Sequence, residues 1–300
     1  MNLKEIRDAL LVSPGRKVKL KDYDSGWPVT KAIKDLGKEA AKQQAQEFLT
    51  QNLEDLAEAQ ELLYAADSYS VLVILQALDA AGKDGTIKHV MQGVNPQGCQ
   101  VYSFKQPSAE ELDHNFLWRC MKALPERGRI GIFNRSYYED VLVVRVHEAL
   151  LANQRLPEKL VDPNSIWKQR FEDINNFEQH LVRNGTVILK FYLNVSKEEQ
   201  KERFLERLTD PKKHWKFSPA DVAEREHWDE YLHAYEAALS ATSTEWAPWY
   251  VVPADHKWAT RAIVAGILTH TIRSLDMSFP EISPQQRAAL EESRKKLENE

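Results

Sequence analysis

Cysteine is scarce in this chain of 300 residues, where only Cys99 and Cys120 occur. Two isolated thiols exclude a disulfide framework and a cysteine-based zinc site, and they are typical of a protein from a reducing compartment. No apolar run approaches the ~20 residues that a membrane helix needs, and the first residues lack the apolar core of a signal peptide. We therefore expect a cytoplasmic protein with no membrane partner.

An excess of positive charge is absent as well, since the formal net charge is −5 at pH 7. A chain of this charge has no overall basic field for non-specific binding of nucleic acid, so we expect no nucleic-acid partner. An anionic substrate would need a local basic patch instead. The motifs HExxH, CxxC and GxSxG are missing too, so nothing indicates a zinc site or an acyl-transfer triad.

Short segments rich in β-branched and aromatic residues predict five strands, at residues 70–78, 99–104, 129–134, 186–193 and 249–253. The continuous apolar run at 70–78 predicts a strand buried on both faces, and 129–134 is also expected to be buried. Helical patterns separate the strands, at about residues 37–66, 83–94, 108–124, 136 onward, 163–183, 196–208, 220–239 and a last helix that ends near 275. This alternation predicts an α/β fold with a parallel sheet covered by helices on both faces.

Three parts are expected along the chain: an N-terminal arm (1–37), a single catalytic domain (38–281) and a charged C-terminal tail (282–300) that frays. The arm contains a basic cluster, Arg16, Lys17, Lys19 and Lys21. We interpret this cluster as the solvated surface of an arm that packs on the domain.

The first motif is the loop Asp79-Ala-Ala-Gly-Lys-Asp-Gly85, which lies between a buried strand and a helix. Backbone N–H groups at a helix start bind phosphate, and a lysine just inside the helix adds a positive charge. The match to a Walker A loop is imperfect, because Ala77 replaces the first glycine and Asp84 replaces the Ser or Thr. A tight turn at Gly82 with a solvated Lys83 is an equally good interpretation of this segment alone.

The second motif, Asn134-Arg-Ser-Tyr-Tyr-Glu-Asp140, follows another strand. Ligands bind at the carboxyl edge of an open α/β sheet, so both loops can face one pocket. In this pocket Arg135 could hold a phosphate, and Glu139 and Asp140 could hold Mg²⁺. The alternative is purely structural, because Ser136 and Glu139 match a helix capping box.

The third motif is basic, because residues 201–216 contain six basic and three acidic side chains. A mobile basic segment over a phosphate pocket would exclude water and add positive charge, as kinase lids do. We therefore predict a lid at about residues 208–228. A solvated helix end, with its cations near the carboxyl terminus, explains the same residues without a ligand.

Taken together, these motifs resemble the polyphosphate kinase type 2 family, from about residue 12 to residue 280. The second motif extends to Arg145 and looks like the class III version, which has Asn134 and Glu139 where most members have Asp and Asn. Further similar stretches are Asp210 to Phe217 with Asp221, Arg225 and Trp228, and residues 247–254.

The resemblance implies a P-loop-kinase-like fold, with a five-stranded parallel sheet between helices and a helical lid. It also implies Mg²⁺, inorganic polyphosphate as donor, AMP and ADP as acceptors, and a homodimer or homotetramer.

On this basis we assign each candidate residue a role. The catalytic candidates are Asp79, Lys83, Arg135, Arg145 and Arg207. The expected contacts to nucleotide or transferred phosphate are Ala81, Gly82, Lys83, Asp84, Gly85, Asn134, Arg135 and Glu139. Those to the polyphosphate chain are Arg207, Lys212, Lys213 and Lys216. The metal candidates are Asp79, Glu139 and Asp140.

Two other functions remain open from the sequence. An ATP-dependent nucleoside monophosphate kinase would have the same fold, although Asp84 departs from ordinary ATP-binding loops. A non-catalytic sensor of polyphosphate or nucleotide would bind without turnover, although Asp79, Lys83 and Arg135 favour an active enzyme.

Overall fold

Five parallel strands form one sheet in the computed structural model, which describes residues 2–300. They are β1 (Ser70–Gln76), β2 (Cys99–Ser103), β3 (Ile130–Asn134), β4 (Thr186–Asn194) and β5 (Trp249–Pro253). Their spatial order is β2-β3-β1-β4-β5, so β1 is central and pairs with both β3 and β4. Every residue of β1 is buried, as its apolar run predicts. The predicted five-stranded parallel α/β fold is confirmed.

Thirteen α-helices occur within residues 2–300. They are α1 (Leu3–Leu10), α2 (Lys31–Leu36), α3 (Lys38–Ala66), α4 (Lys83–Val90), α5 (Ala109–Leu112), α6 (Trp118–Met121), α7 (Val143–Val146), α8 (Ile166–Arg183), α9 (Lys197–Thr209), α10 (Pro219–Ala223), α11 (Trp228–Thr242), α12 (Lys257–Arg273) and α13 (Pro284–Glu298). Two packed groups of helices flank the sheet: α1, α3 and α4 contact α12, whereas α7 and α8 contact α11. No helix in the described part of the chain combines the length and apolarity that crossing a membrane requires.

Several helices are shorter than their sequence patterns predict. The pattern at 108–124 forms two one-turn helices, α5 and α6, and Ser108 and Glu111 form the expected capping box. The pattern at 220–239 is interrupted by a 3₁₀ turn at Glu224–His227. The tail was expected to fray, but it forms α13, which Ser283 and Gln286 cap and which stays exposed along its length.

The capping box predicted at Ser136 and Glu139 does not form. A 3₁₀ turn, Tyr137–Val141, follows β3 instead of an α-helix, and the Ser136 hydroxyl accepts from the Tyr138 N–H at 3.2 Å. The Glu139 carboxylate accepts from Arg135 rather than from the cap backbone. Glu139 is therefore available to a site at the end of β3, which its capping role would have prevented.

The N-terminal arm lies against the outer edge of β5. Ile6 and Leu10 of α1 are buried, the Val12 N–H donates to the Trp249 carbonyl at 2.9 Å, and Leu11 forms an isolated antiparallel bridge with Tyr250. These contacts cover an edge strand that would otherwise expose unpaired backbone groups.

A buried ion pair fixes the segment that follows β3. The Lys190 ammonium of β4 lies 2.5 Å from the Glu178 carboxylate of α8, and both side chains are fully buried. The hydroxyls of Tyr137 and Tyr138 donate to the same carboxylate at 2.8 and 2.9 Å. Lys190 also donates to the Thr242 carbonyl at 2.7 Å. The network thus joins β4, α8 and the end of α11 beneath the 3₁₀ turn.

We expect Lys190→Met to lower the free energy of unfolding by about 3–5 kcal/mol, because it leaves the Glu178 charge buried without its cation. Urea denaturation measures this loss. The double variant Lys190→Met/Glu178→Gln should recover most of it, because no buried charge remains.

Lys168→Met is the matched control, because Lys168 pairs with Glu172 on the surface, where both side chains are mostly exposed. Its effect should stay within about 0.5 kcal/mol. A loss at Lys190 no larger than at Lys168 would contradict a structural role for the buried pair.

Candidate active site

The site lies where β1 and β3 end, because the parallel pairing of these strands brings their following loops side by side. Leu75 of β1 is in register with Asn134 of β3. The Asn134 amide donates to the Asp84 carboxylate at 2.7 Å, so the second motif reaches directly into the first. The two loops predicted to share a pocket therefore do so, at the carboxyl edge of the sheet.

Backbone strain marks both loops. Ala80 has φ +60° and Arg135 has φ +65°, in the left-handed region that favours glycine, and Gly82 has φ +109°. Non-glycine residues in this region cost of order 1–3 kcal/mol and persist where the surroundings impose them, which is common in active sites. Gly82 caps α4, and its conformation turns the chain into the helix that begins at Lys83.

Helix α9 holds the first loop in place. Arg203 donates from Nη1 to the carbonyls of Ala80 and Ala81 at 2.9 and 2.7 Å, and from Nη2 to the Ala254 carbonyl at 2.6 Å. Gln200 donates to the Asp79 carbonyl at 2.9 Å. The carbonyl groups of the first loop thus accept hydrogen bonds from side chains of α9, which hold the loop in its strained conformation.

Lys83 is buried at the inner end of the site. Its ammonium donates to the carbonyls of Ala77 and Leu78 at 2.7 and 3.3 Å. Burial, and then the nearby Arg135 guanidinium, lower the pKa of Lys83 to about 8, against the opposing effect of carboxylates that include Asp79. The positive charge of Lys83 is therefore retained at neutral pH and lost in mildly alkaline solution.

Arg135 bridges two carboxylates across the site. Its Nη2 lies 2.5 Å from Asp79 Oδ1, and its Nη1 lies 3.0 Å from Glu139 Oε2. Burial alone would lower the pKa of Arg135, but Glu139 and Asp79 outweigh it and raise that pKa. The pair of carboxylates and the guanidinium form the centre of the site.

One opening on this centre is basic, and we call it the phosphate cleft. It encloses about 910 Å³ including its open mouth. Its five basic residues are Lys83, Lys105, Arg135, Arg207 and Lys216, against two acidic residues, Asp79 and Asp84. Ala80, Gly82 and Gly85 of the first loop also line it, whereas the predicted phosphate contact Ala81 is buried and lines neither cleft. This cleft suits a polyanionic phosphate chain.

A second opening, which we call the aromatic cleft, meets the first at Asp79 and Arg135. It encloses about 460 Å³ and is lined by three aromatic side chains, Trp228, Tyr231 and Tyr235. Its polar lining comes from Glu139, Gln200, Asp221, Glu224 and Arg225. Burial, and then the charge of Asp79, raise the pKa of Asp221. Aromatic walls with a few polar groups are typical of a pocket for an organic ring.

Two predicted site residues lie away from both clefts. The Asp140 carboxylate is buried, accepts from Gln154 at 2.7 Å and from Arg170 at 3.2 Å, and burial raises its pKa. The Arg145 guanidinium lies 6.0 Å from the ring centres of both Trp167 and Phe171. Neither residue lines a cleft, and the Asp140 carboxylate is already bonded to Gln154 and Arg170.

The predicted lid residues are divided. Arg207 and Lys216 line the phosphate cleft, and Arg207 donates to Asp221 at 3.3 Å. Lys213 pairs with Glu206 at 2.5 Å and with Asp210 at 3.3 Å. Lys212 is exposed and lines neither cleft. Two of these four cations thus face the site directly.

Some residues of the site were not predicted from the sequence. Lys105 and Phe104 lie just after β2 and line the phosphate cleft, and their position beyond a strand's carboxyl end was the available signal. Arg203 was grouped with the basic lid, whereas it anchors the loop through carbonyls. Tyr231 and Tyr235 gave no local motif, because only the tertiary packing of α11 brings them to the cleft.

A sheet of this order, with a strained loop after β1, a buried lysine and a basic cleft, is typical of phosphotransferases of the P-loop-kinase type. The chain belongs to the Polyphosphate kinase 2 (PPK2) family, whose sequence model matches residues 38–280.

Individual relatives agree with this assignment. The chain is 53% identical to the ADP-polyphosphate phosphotransferase of Rhodopseudomonas palustris, over 86% of this chain and 89% of the relative. It is 46% identical to the AMP/ADP-polyphosphate phosphotransferase of Meiothermus ruber, over 90% and 94%. Among solved structures, polyphosphate kinase 2 from Arthrobacter aurescens matches with a TM-score of 0.84 and 39% identity, over 97% of this chain and 98% of that one.

The lowered pKa of Lys83 predicts a pH-dependent affinity for phosphate chains. We expect the association constant for tripolyphosphate to fall as pH rises through about 8, because deprotonation of Lys83 removes a buried positive charge from the phosphate cleft. Calorimetric titration between about pH 6.5 and pH 9.5 measures this.

Tripolyphosphate itself also titrates in this range, and Lys83→Arg controls for that effect. In this variant residue 83 stays protonated, because a guanidinium does not lose its proton over this pH range. The fall near pH 8 should be smaller in that variant. An identical pH dependence in both proteins would show that Lys83 does not titrate there.

Proposed function

We propose that this chain transfers the terminal phosphoryl group of inorganic polyphosphate to AMP and ADP, giving ADP and ATP. One observation supports this most directly: a basic cleft for phosphates and an aromatic cleft for a nucleoside meet at Asp79 and Arg135. A donor in the first and an acceptor in the second would have their reacting phosphates at this junction. The AMP/ADP specificity named for the Meiothermus ruber relative supports both acceptors.

The chemistry required of the protein is mainly positioning and neutralisation of charge. The acceptor phosphate oxygen is already a nucleophile, so no strong base is needed. In the proposed mechanism Lys83 and the amides of residues 82–85 hold the transferred phosphoryl group. Arg135 and Asn134 orient the acceptor phosphate. Arg207 and Lys216 neutralise the polyphosphate, and Lys212 and Lys213 attract it to the lid.

The carboxylates at the junction fit a divalent cation of the Mg²⁺ type. No cluster of three or more His, Cys, Asp or Glu side chains that could hold a metal alone occurs within residues 2–300. Mg²⁺ does not require such a cluster, because it binds through one or two carboxylates together with substrate oxygens. Asp79 and Glu139 would supply those carboxylates, and Mg²⁺ would neutralise the phosphate oxygens. Asp140 is not included among the proposed metal ligands, because its carboxylate already accepts hydrogen bonds from Gln154 and Arg170.

The proposal also includes the assembly and location that the sequence implies. A homodimer or homotetramer follows from the resemblance to the family, and a cytoplasmic location follows from the scarcity of cysteine.

The decisive assay mixes the protein with Mg²⁺, polyphosphate and AMP in the absence of ATP, and identifies the products by chromatography. We expect ADP first and then ATP. Conversion of added ADP alone would contradict the use of AMP while leaving the donor intact. A reaction of ATP with AMP, and none with polyphosphate, would favour an ordinary nucleoside monophosphate kinase. Binding without any turnover would favour a sensor.

Lys83→Ala should lower kcat by at least about 10²-fold, because one buried cation that faces the transferred group is lost. Lys88→Ala is the matched control, since Lys88 lies on the exposed side of the same helix. Its kcat should stay within about twofold of the parent value. Comparable rates for the two variants, with both folded by circular dichroism, would refute the role of Lys83.

A further inference from the structure

The basic cluster of the N-terminal arm has no part in the mechanism above. Lys17 and Lys19 are exposed, whereas Val18 and Leu20 between and after them are buried, with 2% and 4% of their surface accessible. Lys21 follows in a 3₁₀ turn and is also exposed. The segment therefore presents its lysines outward in a row, which we call the lysine strip (Lys17, Lys19 and Lys21).

Helix α11 holds this strip in a fixed position. The Val18 N–H donates to the Ser240 hydroxyl at 2.8 Å, and the Leu20 N–H donates to the Glu236 carboxylate at 2.7 Å. The strip and this face of α11 border an open cleft of about 970 Å³, whose only acidic lining residue is Glu236. That carboxylate accepts from the Leu20 N–H and forms no ion pair with the three lysines.

The positive charges of the strip are unpaired within the part of the chain that the structure describes. Neither the three lysines nor the neighbouring Arg16 forms an ion pair within residues 2–300. The nearby Asp24 carboxylate accepts from the Gly26 N–H instead. Three acidic residues lie beside these four cations, namely Asp22, Asp24 and Glu236, so the local balance is slightly positive on a chain of net charge −5. This local excess, and the absence of ion pairs to the lysines, favour the binding of an anion.

The shape of the strip selects a linear polyanion. Lys17 and Lys19 are alternate residues of extended backbone, spaced by about 6.5 Å, and Lys21 follows in the 3₁₀ turn, so the strip suits a chain with repeated charges. The cleft has no Phe, Tyr or Trp in its lining, so it lacks the platforms on which the bases of single-stranded nucleic acid stack. A phosphate polymer that carries no bases fits these properties better than RNA does.

We propose that the lysine strip is a second binding site for inorganic polyphosphate, outside the catalytic clefts. The proposal rests on the proposed function, which makes this polymer a substrate. Tyr231 and Tyr235 of α11 line the aromatic cleft, whereas Ser240 and Glu236 of the same helix hold the strip. The strip therefore lies across α11 from the aromatic cleft, outside both catalytic clefts. A long polymer that binds the strip raises its own concentration at the active site.

The test compares Lys17→Gln/Lys19→Gln/Lys21→Gln with a control of equal charge change, Lys4→Gln/Lys31→Gln/Lys34→Gln, at exposed lysines elsewhere. In the strip variant we expect the KM for polyphosphate of about a hundred units to rise about tenfold. Its kcat, and its KM for tripolyphosphate, should stay within about twofold, because a short donor reaches only the catalytic clefts. Equal KM values in the two triple variants would overturn the proposal.

Direct binding separates this proposal from the proposed function. Labelled long-chain polyphosphate, titrated without nucleotide, should bind the strip variant more weakly than the control, with a salt dependence reduced by about two to three charges. If the parent protein transfers no phosphate but the difference in polyphosphate binding persists, the proposed function is wrong and the lysine strip is still supported as a polyphosphate site. If affinity for an RNA oligonucleotide falls while polyphosphate binding is unchanged, the strip is a nucleic-acid site and the proposal fails.

Discussion

The contact between Arg135 and the two carboxylates Asp79 and Glu139 is the interaction on which the site depends. It joins the loop after β1 to the turn after β3, and it separates the phosphate cleft from the aromatic cleft. In the proposed mechanism a divalent cation takes these same carboxylates. Arg135 would then exchange its carboxylate partners for phosphate oxygens. The ion pairs thus keep the guanidinium and the carboxylates in place before substrates bind, which limits the reorganisation that the reaction requires.

The surroundings hold this arrangement from two sides. Beneath the first loop, Arg203 and Gln200 bind carbonyls, so the loop keeps a conformation that a non-glycine residue such as Ala80 does not favour. Beneath the second, the pair of Lys190 and Glu178 holds the tyrosine hydroxyls. A buried ion pair adds little net stability, but removing one partner is costly, so it restricts the turn to one geometry. Both supports come from elements distant in sequence.

The sequence was sufficient for the sheet and for the two loops, because continuous apolar runs and strand-to-helix turns are local signals. Arg203 was counted with the basic segment 201–216, although it lies within the helix predicted at 196–208. Its contact with the loop carbonyls depends on how α9 packs under the first loop, which has no local signal. Asp140 and Arg145 lie outside the clefts for another reason. A 3₁₀ turn replaces the expected helix after Ser136, and its three-residue period changes which side chains face the cleft. No local pattern distinguishes that turn, since the buried network beneath it selects it.

The distribution of charge explains how an acidic chain can use a polyanion. A net charge of −5 repels polyphosphate from most of the surface, so attraction is confined to the places where cations outnumber anions. The phosphate cleft is one such place, with five basic residues and two acidic ones. The proposed lysine strip is a second, and α11 contributes to both the aromatic cleft and the strip. Since the strip lies outside the phosphate cleft, the gain in affinity would depend on the length of the polymer, and a donor too short to reach from one to the other would obtain none.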